Sequence, residues 1–143
     1  MENENSALLN GIYKTTSIGM EATKLIFSNV KDRHLRRQVA QQYFDYKTTS
    51  HKVKNLLHYN GGFPQHEDNF KKAMIRSSIR LNTMMNKKPE HIAELMITGT
   101  AMGIIDVNKK LNRFDGADTE VKKMAEDFLT NEQRNIDELK RHL

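Results

Sequence analysis

Residues 118–139 read DTEVKKMAEDFLTNEQRNIDEL, and the spacing of their apolar side chains decides the fold class. Steps of four and three residues lead from one candidate core position to the next, in the order Val121, Ala125, Phe128, Glu132, Asn135 and Leu139. An α-helix turns by about 100° per residue, so this spacing keeps all of them on one face. Asp118 precedes the stripe and is the expected N-terminal cap. The segment therefore predicts a helix whose buried stripe contains a carboxylate.

The same helical spacing occurs in four other segments. It predicts helices over residues 6–30, 32–60, 65–86 and 89–115, the second capped by Asp32. Glycine after Asn60 and after Asp115 is typical of helix C-termini, and Pro89 suits a first helical turn. No segment alternates with the period of two that a half-buried strand needs. We therefore predict an all-α fold.

Four of the predicted helices are long and the third is short. Its predicted buried stripe consists of Phe70, Met74, Ser77, Leu81 and Met84. Long helices joined by tight linkers pack as antiparallel neighbours, so the simplest architecture is an up-down bundle of four long helices plus one short helix. A chain of 143 residues suits one such domain, spanning residues 1–143.

Composition narrows the possible classes of protein. The chain has no Cys, which excludes thiolate metal sites, Fe–S clusters and cysteine nucleophiles and is typical of a reducing compartment. Its first residues, MENENS, lack a cationic leader, and no apolar run approaches the roughly 18 residues that span a bilayer. There is no nucleophile elbow and no phosphate-binding glycine loop. We expect a cytoplasmic protein without a membrane span.

The net charge of +5 is concentrated in the middle of the sequence. Residues 31–54 contain seven Lys or Arg and two Asp, and residues 69–89 contain six Lys or Arg and no acid. Such stretches can attract an anionic partner such as a nucleic acid. Solvated helix faces explain the same pattern, and the sequence favours that explanation because no groove-entering motif accompanies the charge.

Polar or small residues interrupt every long stripe near its middle. They are Thr16 and Gly19, then Gln42, Tyr46 and Thr49, then Gly99 and Thr100, and finally Glu132 and Asn135. A buried carboxylate costs several kcal/mol unless it is hydrogen-bonded, protonated or bound to a cation. Glu132 is therefore the residue that most needs a partner, and its spacing to Asn135 places both side chains on the same face.

Three phrases resemble the ferritin-like superfamily, in particular its small bacterial bundle proteins of uncharacterised function. They are VKDRHLRR at 30–37, AELMITGTAMG at 93–103 and EQRNIDEL at 132–139. The resemblance covers most of the chain as two helical hairpins. It implies a ferritin-like bundle, with a role in stress, spore formation or storage.

The resemblance also implies where a di-iron centre would lie. A di-iron member carries a carboxylate on the first helix of each hairpin and Glu-x-x-His on the second. The matching positions here are Thr16 or Gly19, Tyr46 and Thr49, Gly99 or Thr100, and Glu132 with Asn135. Only Glu132 is a strong ligand, so the di-iron set is lost and we expect a protein without enzymatic activity.

Two functions remain open from the sequence. The first is a non-catalytic bundle without a cofactor that acts by protein association, as a homo-oligomer or with another protein. A Met-rich third segment and the off-stripe residues Ile75 and Ile79 favour it.

The second function is that of a metal- or small-ligand-binding bundle. In it, Glu132 and Asn135 hold a weakly bound divalent cation within a cavity lined by Thr16, Tyr46, Thr49 and Thr100. The six His are scattered, which predicts surface residues.

Overall fold

The structure is a computed structural model that describes residues 3–66 and 69–143, apart from the side chains at 69, 70, 81, 84 and 85. It contains five α-helices in chain order, followed by a short 3-10 turn at Lys140–His142. The helices are α1 (Glu4–Phe27), α2 (Arg33–Tyr59), α3 (Asn69–Met85), α4 (Pro89–Arg113) and α5 (Thr119–Leu139). No strand occurs within the described residues, so the all-α prediction is confirmed.

Most predicted helix ends have the expected local chemistry. The carboxylate of Asp32 accepts a hydrogen bond from the backbone N–H of Leu35 at 2.9 Å, which caps α2. Gly61 has a φ of 75°, a conformation that glycine adopts without strain, and it follows the end of α2. Pro89 lies in the first turn of α4.

Asp118 is a correction to the predicted caps. It occupies the N-cap position of α5, but its side chain makes no capping hydrogen bond. Instead, its Oδ2 accepts from Nδ2 of Asn5 at 2.9 Å, and the Asp118 N–H donates to Oδ1 of Asn5 at 2.7 Å. Asn5 also donates to Oδ1 of Asn60 at 3.1 Å. These bonds place the beginning of α1 beside the end of α2 and the beginning of α5.

The buried apolar residues form two clusters, and α1 packs against each of the other four helices. Cluster A contains Leu8, Leu9, Ile12, Tyr46, Val53, Leu57, Val107, Ala117, Val121, Ala125 and Phe128. Cluster B contains Ile26, Val30, Leu35, Val39, Ile79, Ile92, Met96 and Leu139. Each long helix contributes residues to both clusters, which builds one core with two apolar parts.

The predicted buried stripe of α3 is wrong where the structure describes it. Met74 and Ser77 are exposed, whereas Ile79 is buried and Ile75 is half-buried against cluster B. Phe70, Leu81 and Met84 lie outside the described side chains. Because the opposite face of α3 packs on α1, Ile75 and Ile79 belong to the core and give no support to association.

Within residues 3–66 and 69–143, every helix is too short or too polar to span a bilayer.

Candidate functional site

A layer of buried polar side chains separates cluster A from cluster B. Along each long helix, these residues lie between the residues of one cluster and those of the other. They are Thr16 and Thr23 on α1, Gln42 on α2, Thr100 on α4, and Glu132 and Asn135 on α5. All of these residues are buried. Polar groups at this depth require hydrogen-bond partners, so their arrangement is constrained by the fold.

Glu132 lies at the centre of this layer and is 1% exposed. Its Oε2 accepts a hydrogen bond from the Tyr46 hydroxyl at 2.7 Å, and its Oε1 accepts one from Nδ2 of Asn135 at 2.9 Å. Both carboxylate oxygens are therefore held by donors from the chain itself. This gives Glu132 partners on its own helix and on α2.

Gln42 extends the network from α2 to α4. Its Nε2 donates to the Tyr46 hydroxyl and to Oγ1 of Thr100, both at 2.8 Å. Thr100 in turn donates to the backbone oxygen of Met96 at 2.8 Å. The remaining amide oxygen of Gln42 is buried and has no hydrogen-bond partner among the described residues. The network thus leaves one unused acceptor in its interior.

Burial controls the protonation of the two acidic groups. Desolvation raises the pKa of Glu132 from 4.5 to about 7, although the hydrogen bonds from Tyr46 and Asn135 oppose that shift, and the nearby charge of Asp45 adds to it. Desolvation also raises the pKa of Tyr46 well above its usual value, with a further contribution from Glu132. Glu132 can therefore gain or lose a proton near neutral pH, whereas Tyr46 remains a donor.

Two glycines make room for this network. A Cβ atom on Gly19 would lie 2.7–2.8 Å from three atoms of the Tyr46 ring, so α1 needs glycine where that ring packs. A Cβ on Gly103 would lie 3.1 Å from Cγ2 of Thr15 and 4.0 Å from Oε2 of Glu132. Gly103, rather than Gly99, is therefore the small residue of α4 that faces Glu132. Gly99 is exposed, and a Cβ there would meet no atom within 4 Å.

The remaining predicted site residues, Thr16, Thr49 and Thr100, differ in whether they join the hydrogen-bond network. Thr100 joins the network through Gln42, whereas the buried Thr16 donates to the backbone oxygen of Tyr13 at 3.0 Å. Thr49 is only half-buried and lies outside the network formed by the described residues. In helical projection Thr49 lies at the edge of the buried α2 stripe, about 20° beyond Gln42, which is why it is only half-buried.

The donor set does not fit a di-iron centre. Glu132 contributes the single carboxylate of the layer, and the other described members offer only amide and hydroxyl oxygens, which iron does not favour. Across the described residues, no group of three or more His, Cys, Asp or Glu side chains could hold a metal ion. His34, His51, His58 and His66 are exposed, as predicted, and His91 and His142 are half-buried.

A second candidate site is the outward side of α4. Met102 and Ile105 are 62% and 52% exposed and lie one turn apart, and the half-buried Leu95, which packs partly against cluster B, lies two turns before Met102. We call Leu95, Gly99, Met102 and Ile105 the α4 outer face. The open space at Gly99 allows another backbone to approach closely. The sequence shows these apolar positions, but their exposure depends on which face of α4 packs inward.

No protein-family model, curated protein or solved structure matches this chain. The buried layer and the exposed helix surfaces are therefore the features that bear on its function.

Proposed function

We propose that this chain is a non-catalytic, ferritin-like up-down bundle of a bacterial cytoplasm that acts by associating with a second copy of itself. The hydrogen bonds of Asn5 support the up-down arrangement, because they join the beginning of α1 to the end of α2. The mid-helix polar layer supports the ferritin-like relationship, since a di-iron member carries its ligands at that level. The hydrogen bonds to both oxygens of Glu132 support a structural role for that carboxylate.

The exposed apolar side chains of the α4 outer face are the observation that supports self-association. Large apolar side chains that lie together on one helix face are typical of a contact surface, whereas scattered ones are not. Glu94, Asp106 and Lys109 are exposed around this face and supply charges of both signs. A two-fold pairing presents the same patch on both subunits, so such a rim can complement itself.

Light scattering of the eluting protein at tens of micromolar tests this proposal. We expect the mass of a dimer or larger oligomer for the parent chain. The double variant Met102→Gln with Ile105→Gln should elute as a monomer, because it removes the apolar contact without changing the core. Phe63→Ser provides the matched control, since Phe63 is 77% exposed in a different part of the surface. A monomeric parent would rule out self-association.

A second function, binding of a divalent cation, is favoured by the unused amide oxygen of Gln42 within the same layer as Glu132. One carboxylate with neutral oxygens gives weak binding. Thermal unfolding with added Mg²⁺, Mn²⁺ or Zn²⁺ distinguishes the two functions. A melting temperature that rises by several degrees in the parent but not in Glu132→Gln would support cation binding, through the coupling of binding to folding. We expect equal melting temperatures with and without metal.

A further inference from the structure

One side of the α1–α2 hairpin carries two adjoining clefts of different chemistry. The first, of about 440 Å³, is lined by Phe27, Lys31, Arg33, Arg36, Arg37 and Ala40. The second, of about 280 Å³, is lined by Thr23, Lys24, Phe27, Ala40, Tyr43 and Phe44. The two clefts share Phe27 and Ala40, so a cationic surface continues directly into an aromatic one. We call this surface the α2 cleft.

The cations of the α2 cleft are available to a ligand. Lys31, Arg33, Arg36 and Arg37 are exposed, and none of them forms an ion pair within the part of the chain that the structure describes. The nearest carboxylate in the sequence, Asp32, is used to cap α2. Asp32 keeps its negative charge in this role, but the four cations outnumber it, and the net positive charge of this surface favours an anionic partner.

Flat side chains alternate with these cations. The Arg36 guanidinium lies over the Phe27 ring at 4.4 Å from its centroid, which holds Arg36 in place beside the cleft. Tyr43 and Phe44 form an edge-to-face pair with ring centroids 5.5 Å apart, and Phe44 is 56% exposed. An exposed ring in the cleft that adjoins a fixed guanidinium offers a surface on which a planar group can stack.

The cationic track continues along the same side of α2. Lys47 and Lys54 follow Phe44 by three and ten residues, and both are exposed. From Arg33 to Phe44, α2 extends over about 16 Å, and a surface of that length can contact a few nucleotides of a single strand. The surface thus has the length and the charge to follow a phosphate backbone.

We propose that the α2 cleft binds single-stranded nucleic acid, with phosphates against the arginines and a base stacked on Phe44. Cationic grooves combined with stacking rings are the usual means of binding single strands without sequence specificity. A duplex keeps its bases stacked within the helix, so they cannot reach Phe44. An anionic membrane attracts the same cations, but Phe27 and Tyr43 line a concavity and do not project into a bilayer, so a stacked base fits this surface better.

Fluorescence anisotropy with labelled twelve-residue oligo-dT, oligo-U and a blunt duplex of the same length tests the proposal. We expect a single strand to bind at low salt and the duplex to bind more weakly. The comparison of oligo-dT with oligo-U shows whether DNA or RNA is preferred. The logarithm of Kd should rise with the logarithm of salt concentration with a slope of about 2 to 3, as expected when three or four phosphates are neutralised.

Variants separate stacking from charge. Phe44→Ala should raise Kd roughly five- to hundred-fold, as the loss of one stacked base does, and Arg37→Gln should raise Kd and lower the salt slope by about 0.7. Phe63→Ala and Lys123→Gln are matched controls, because both residues are exposed and neither lines the cleft. All four variants should retain the melting temperature of the parent.

Three results would overturn the proposal. They are the absence of single-strand binding at micromolar protein and low salt, affinity that is unchanged in Phe44→Ala, and binding to phosphatidylserine vesicles without binding to either oligonucleotide. None of these results depends on the oligomeric state, so they are independent of the association through α4.

Discussion

Glu132 places a titratable carboxylate between two apolar clusters, where its charge is poorly solvated. The hydrogen bonds from Tyr46 and Asn135 stabilise the ionised form, but they do not fully replace water, and burial still raises the pKa to about 7. The protonated form loses less on burial. The stability of the fold therefore depends on the pH through this one residue.

The direction of that dependence follows from the two states of the chain. Between pH 4.5 and about 7, the unfolded chain releases the Glu132 proton while the folded chain retains it, so stability falls as the pH rises through this window. The full cost, about 3 kcal/mol, is reached above the folded pKa. Glu132→Gln carries no titrating proton and lacks this loss.

Urea unfolding of the parent and of Glu132→Gln at pH 5 and pH 8 measures the effect. We expect the unfolding free energy of the parent, relative to the variant, to decrease by about 2.5 kcal/mol between these pH values, because a small part of the loss already occurs below pH 5. Glu126→Gln is the control, because Glu126 is exposed on the same helix. Parallel pH profiles for the parent and Glu132→Gln would show that Glu132 has an ordinary pKa.

At the scale of the helices, the glycines Gly19 on α1 and Gly99 on α4 differ in how much space surrounds them. The Tyr46 ring lies against Gly19 and is fixed at its hydroxyl by Glu132 and Gln42, so it cannot move away from an added methyl group. Gly99, in contrast, faces open space in the middle of a helix. Only the first glycine is required by packing within the chain.

Substitution by alanine distinguishes the two positions. Gly19→Ala should lower the unfolding free energy by about 1 to 3 kcal/mol, because overpacking outweighs the gain in helix propensity. Gly99→Ala should raise it by roughly 0.5 to 1 kcal/mol, since the propensity gain is unopposed. Chemical denaturation of both variants measures these changes. A change of the same sign in both would mean that the Tyr46 ring does not pack against Gly19.

The sequence predicts helices well where only one face is apolar. In α5, all six residues of the predicted stripe are buried, from Val121 to Leu139. In α3, apolar residues occur on two faces, so helical spacing cannot show that Ile79 packs inward and Met74 outward. The network is limited in a similar way. The sequence shows that Gln42 lies on the stripe of α2. Its hydrogen bond to Thr100, however, joins two residues that are 58 positions apart in the chain, and this bond depends on tertiary packing.

At the scale of the whole molecule, the helices are not equally attached. Four long helices share the polar layer and both apolar clusters, whereas α3 packs mainly on α1. Its described anchors include Ile75, Ile79, the buried Thr83, a contact of 3.2 Å between Nε2 of His91 on α4 and the backbone oxygen of Asn82, and an ion pair between Arg76 and Glu21 at 3.1 Å. That ion pair is partly exposed, so it adds little to the attachment. Few buried contacts predict a low free energy of local opening for α3.

Amide hydrogen exchange tests this difference in attachment. We expect the amides of residues 69–85 to exchange faster than those in the middle of α1, α2 and α5, because α3 can open while the polar layer stays intact. Ile79→Ala should accelerate exchange in α3 further and leave α5 unchanged, since Ile79 is the buried anchor of α3 in cluster B. Met74→Ala, at an exposed position of the same helix, is the matched control. If α3 exchanged as slowly as α5 in the parent, its opening would require unfolding of the entire bundle, and α3 would be an integral part of the core.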